Sequence, residues 1–74
     1  MTTLCDTMVH INDNLNLEQK QALEEKMRQI PGVIAPRFNK DHLLSISYNS
    51  DNLQAQTLLT TVQQQGYQAQ LVGL

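Results

Sequence analysis

The order in which the apolar residues change period constrains this chain more than any other feature. In Thr7–Ile11, Val9 and Ile11 fall on one side and Met8 and His10 on the other, the period of two of a strand. Asn12-Asp13-Asn14 then supplies turn chemistry. Asn16 with Gln19 three residues on forms a helix-start pair, in which each side chain can accept from the other's backbone N–H. The period lengthens from there: Leu23, Met27 and Ile30 make one apolar stripe, with Glu24, Glu25 and Arg28 outside it. A helix over roughly 17–30 follows, with boundaries good to about 2–4 residues. Pro31-Gly32 ends it, because proline removes a donor and glycine accepts positive φ.

The second half repeats the scheme. Val33–Phe38 reads as a strand, and Pro36 makes it an edge candidate, since proline cannot donate to a sheet ladder. Asn39-Lys40-Asp41 is the expected hairpin turn. In His42–Tyr48, Leu44, Ile46 and Tyr48 face in, and Leu43, Ser45 and Ser47 face out. Leu53, Leu58, Leu59 and Val62 mark a second helix over roughly 54–65, closed by Gly66. Tyr67, Ala69 and Leu71 alternate with Gln68 and Gln70 in a last strand. The order β-α-β-β-α-β is the split βαβ, or ferredoxin-like, pattern. The expected architecture is α+β: a four-stranded antiparallel sheet in the order 4-1-3-2, with both helices on one face. Met8, His10, Ser45, Ser47, Gln68 and Gln70 line the other face, toward water. The expected core is Val9, Ile11, Leu23, Met27, Ile30, Val33, Phe38, Leu44, Ile46, Leu58, Val62 and Leu71.

The totals narrow the function. Seventy-four residues are one domain, 1–74, with a modest core and no room for a deep substrate pocket, so no enzyme is expected. A net charge of −2, five scattered Lys and Arg and three aromatics provide neither the basic stripe nor the stacking platform of a nucleic-acid binder. Apolar runs of two or three residues do not span a membrane. The first residues lack the basic and apolar regions of an export signal, which makes the cytoplasm the expected compartment; the single Cys5 is compatible with it. The chain has ten glutamines; Gln54, Gln56, Gln68 and Gln70 alternate with apolar residues, as on solvated faces of folded elements, and the set is not read as a low-complexity tract.

Pro31-Gly32-Val33, Tyr48 and Gly66-Tyr67 together resemble the heavy-metal-associated domains, the copper chaperones and N-terminal modules of copper-transporting ATPases. That family has Pro-Gly-Val between first helix and second strand, a Tyr closing the third strand, and Gly-Tyr before the fourth. Tyr48 and Gly66 stand eighteen apart here, matching the family spacing, while the hairpin before Tyr48 is one residue shorter. The resemblance covers about residues 8–72. It implies the ferredoxin-like fold and, in the family, a Gly-Met-x-Cys-x-x-Cys loop whose two thiolates bind Cu(I). Alignment from Val33 puts those cysteines on Asn16 and Gln19, and the Gly-Met on Asp13 and Asn14. Cu(I) selects soft sulfur ligands, and amides are poor substitutes. No metal is therefore expected at Asn16 and Gln19.

Other candidates carry two readings each. Cys5, Met8 and His10 are alternative ligands for copper or zinc, needing a dimer to complete the set. Cys5 is otherwise a thiol near a fraying terminus, and His10 a solvated surface histidine. His42 reads as turn-proximal polar surface; sharing a metal with His10 would leave only two imidazoles. The oxygen-rich loop at 12–18 lacks the spacing and the glycine of an EF-hand. Two functions remain. One is a non-enzymatic interaction or adaptor module without the family Cu(I) site, meeting a protein partner through Asp13, Asn14, Leu15, Asn16 and Leu17. The other is a metal-binding protein with non-family ligands.

Overall fold

The computed structural model describes residues 3–72 of the chain; Met1 and Thr2, part of the export-signal reading, lie outside them. The chain runs β1 (Leu4–Ile11), α1 (Leu17–Arg28), β2 (Val33–Lys40), β3 (Leu43–Asn49), α2 (Ala55–Gln64) and β4 (Ala69–Leu71). The four strands form one antiparallel sheet in the order β2-β3-β1-β4, the expected order.

Local chemistry accounts for the boundaries. Asn16 Oδ1 accepts from Gln19 N–H at 2.8 Å and Gln19 Oε1 accepts from Asn16 N–H at 2.9 Å, the reciprocal pair that starts α1. Gly32 (φ 99°) and Gly66 (φ 96°) turn the chain after each helix in the left-handed region. Helix α1 stops at Arg28, two residues earlier than expected. β1 begins three residues earlier, at Leu4, because pairing with β3 reaches back to Asn49.

Val9, Ile11, Leu23, Met27, Leu44, Ile46, Leu58 and Val62 are buried between helices and sheet, as periodicity predicts, and Tyr48, Leu53 and Leu59 complete the core. Four expectations need correction. Leu71 is 36% exposed although it pairs with fully buried Val9: β4 is an edge strand, shielded by a neighbour on one side only. Ile30, Val33 and Phe38 are half-buried against the core; Ile30 lies past the helix end, and the other two lie on edge strand β2. Leu53 precedes α2 instead of belonging to it, and packs beside Gly32, where an added Cβ would meet it at 3.4 Å. Glu24 is not on the outer face of α1: its Oε2 accepts from Phe38 N–H at 2.8 Å. A carboxylate there satisfies a donor that the edge strand leaves without a ladder partner.

Candidate functional site

The β1–α1 connection, the β2–β3 turn and the α2–β4 connection meet at one pole. Ile11 N–H donates to His42 O (2.9 Å) and Asn12 N–H to Gln68 O (2.8 Å), so the loop leaving β1 is fastened on both flanks. Asp13 Oδ2 accepts from Gln68 N–H at 2.9 Å and closes the second attachment. Leu15 turns inward and packs against the core. Asn16 and Gln19 are exposed, but their side-chain oxygens serve the first turn of α1. Leu17 lies between them in sequence, an apolar side chain 69% exposed at the start of a helix. Asn14 is also exposed.

Beside Leu17 a cleft of about 320 Å³ runs between α1 and the β2–β3 hairpin, lined by Lys20, Glu24, Phe38, Lys40 and Asp41. Lys20 organises it. Its Nζ donates to Asp41 Oδ1 at 3.0 Å and stands 5.9 Å from the centroid of the Phe38 ring. The Lys20 ammonium, by hydrogen bond and then by charge, holds the Asp41 carboxyl below its ordinary 3.8. Sequence reasoning missed this groove, because Lys20 and Asp41 share no local pattern and are joined only when the hairpin folds onto α1.

The alternative ligands divide between the two faces of the sheet. Cys5 is half-buried on the helix side, packed against the core, and pairs with Tyr48 across the β1–β3 ladder. Met8 and His10 alternate onto the open side. One chain therefore does not bring Cys5, Met8 and His10 to one point. Among the described residues no three His, Cys, Asp or Glu side chains form a metal-holding group. His42 differs from its sequence reading. It is half-buried, its Nδ1 lies 2.8 Å from Ile11 O, and its ring stacks on His10 at 5.8 Å between centroids.

The open face carries an accessible depression of about 500 Å³ above Asp6, Met8, Arg37, Ser45 and Ser47. Two pairs of its polar groups bond to each other: Ser47 Oγ donates to Asp6 Oδ1 and Asn39 Nδ2 to Ser45 Oγ, each at 2.6 Å. Among the described residues no helix is long and apolar enough to cross a membrane.

With this geometry the chain is a ferredoxin-like α+β sandwich. Its fold is that of the heavy-metal-associated domains. It matches a copper-binding domain of HMA7, a P-type ATPase, with a TM-score of 0.83 at 9% identity, covering 92% of this chain and 93% of that one. Oxidized MerP from Ralstonia metallidurans CH34 matches with a TM-score of 0.84 at 8% identity, over 96% and 100%. The CsoZ metallochaperone gives 0.79 at 18% identity, over 96% and 100%. No family model and no curated protein matches the chain.

Proposed function

We infer that this chain is a non-enzymatic docking module on the heavy-metal-associated scaffold, meeting a protein partner through the pole around residues 12–19 without holding Cu(I) at positions 16 and 19. The observation that carries this reading is the use made of those two positions. Asn16 and Gln19 each spend a side-chain oxygen on a backbone N–H of the helix start, and neither offers a thiolate. Cu(I) binding by two neutral amides would lack both the soft donors and the negative charge that the ion needs. Between them in sequence Leu17 projects a large apolar surface beside a cleft that Lys20, Lys40 and Asp41 also line. That is the composition of a contact centre with a polar rim. Copper-binding and metallochaperone proteins of the same fold support a scaffold suited to transfer and docking, while the site chemistry here is this chain's own.

Two measurements test it. A photo-activatable benzoylphenylalanine at position 17 should yield a discrete crosslinked protein in cells that express the chain. The same probe at exposed Gln64 on α2 should not, and equal labelling from both positions would remove the docking surface. In parallel, the reduced wild-type chain titrated with Cu(I) against a competing chelator should show no tight binding that depends on Asn16 or Gln19. The double variant Asn16→Cys with Gln19→Cys should gain such binding. Tight wild-type binding lost in Asn16→Ala would defeat the reading of positions 16 and 19.

A further inference from the structure

His10 and His42 come together only through the fold. Antiparallel pairing sets His10 opposite Leu43, and His42, the last residue of the β2–β3 turn and outside the alternation of β3, comes to lie beside it. The rings lie 5.8 Å apart between centroids with 23° between their planes, and both residues are half-buried. Each Nδ1 already has a partner within the chain. His42 Nδ1 is 2.8 Å from the backbone oxygen of Ile11. A carbonyl oxygen only accepts, so in the neutral ring Nδ1 carries the proton and Nε2 the lone pair. His10 Nδ1 is 3.0 Å from Asn12 Oδ1, and in the neutral ring the same reasoning places the lone pair on Nε2. Neither Nε2 is hydrogen-bonded among the described residues. No buried side-chain nitrogen there lacks a partner either, so both lone pairs reach solvent. A histidine anchored through N–H to an oxygen, with its other nitrogen free and accessible, is how proteins prepare an imidazole for a metal.

We propose that His10 and His42 form, through their two Nε2 atoms, a binding site for a late first-row divalent cation, with water in the remaining positions. The ring separation suits it. With metal–nitrogen bonds of about 2.0–2.1 Å, each ring centroid stands about 3.2 Å from the ion, and two rings at tetrahedral to linear angles are about 5.2–6.4 Å apart. The stacked rings stand 5.8 Å apart, so reaching such an arrangement asks them to turn and not to travel. Near-parallel rings do not aim both lone pairs at one point, so one ring must turn. His10 is the one free to do so: its ring rotates about a broad sp³–sp² torsion, and its anchor Asn12 is an exposed side chain able to follow. His42 stays fixed on the backbone of β1. Neutral imidazole suits Zn(II), Ni(II) and Cu(II). The site is distinct from positions 16 and 19, uses no sulfur, and stands or falls independently of the docking surface at Leu17.

The test is calorimetric titration of the whole reduced chain with nickel(II) and with zinc(II) chloride; Cu(II) is avoided because it oxidises thiols. Saturable one-to-one binding is expected, weakened at least about tenfold by His10→Ala and by His42→Ala. Asn12→Ala, which removes the anchor of His10, should weaken it by about 10-fold. Cys5→Ser should leave it unchanged. Proton resonances of both imidazole rings should move together on adding zinc(II) to the wild-type chain, a readout that needs no variant to fold. Absence of saturable binding, unweakened binding in either histidine variant, loss of it in Cys5→Ser, or movement of one ring alone would each overturn the assignment.

Discussion

Replacing Asn16 by alanine separates the structural use of this position from any role as a ligand. The side chain of Asn16 contributes one hydrogen bond, from Gln19 N–H to its Oδ1 at 2.8 Å, and shapes the turn into which Gln19 reaches back at 2.9 Å. Loss of an asparagine N-cap to alanine typically costs about 1 kcal/mol, within a range of about 0.5–2. A domain of this size has a total stability of about 4–11 kcal/mol at 0.05–0.15 kcal/mol per residue, so the change is a sizeable fraction. In a domain of 60–100 residues each kcal/mol moves Tm by about 4–8 °C, and Asn16→Ala should lower Tm by that amount. Asn16→Asp should hold Tm near wild type, because a carboxylate caps equally well and its charge favours the helix N-terminus. Gln19→Ala should cost less than Asn16→Ala. The N–H that it abandons is that of exposed Asn16, and water can take the vacated bond. The assay is thermal unfolding followed by far-ultraviolet circular dichroism. If Asn16→Ala moved Tm by less than about 1 °C, the capping role would be wrong.

Three further outcomes follow from the packing. Leu58→Ala should destabilise the chain by about 2–5 kcal/mol in chemical denaturation, since Leu58 is fully buried; a loss under about 0.5 kcal/mol would mean that α2 presents another face. Glu24→Ala should speed hydrogen exchange at the Phe38 amide and cost about 1–3 kcal/mol, whereas unchanged exchange would show that the carboxylate does not hold the edge strand. Asp41 has a folded pKa below 3.8, so its contribution to stability is present above that ordinary value and is lost as pH falls through the lowered one. A carboxyl titration by NMR should find this depression, and Lys20→Gln should restore Asp41 toward its ordinary value. An Asp41 titration indifferent to Lys20 would contradict the ion pair.

Features in which neighbours along the chain decide the outcome were legible in residue order alone. The apolar period told strand from helix because a strand returns to the same face after two residues and a helix after three or four. Asn16 with Gln19 marked the start of α1, and Gly32 and Gly66 marked the turns, since each acts within a few residues of itself. The element order then left few arrangements, and β2-β3-β1-β4 was the one expected. Whatever depends on which strand lies beside which, and at what register, emerged only on folding. Folding exposed Leu71 by placing β4 at an edge, and drew Glu24 inward to serve a strand fourteen residues away. It separated Cys5 from Met8 and His10 by extending β1 through all three, so that alternation sends them to opposite faces. It also joined Lys20 to Asp41 and stacked His10 on His42, pairs brought together by antiparallel pairing and by helix-on-hairpin packing. Such contacts leave no period in the sequence, because their partners are set by the whole sheet and not by any segment of it.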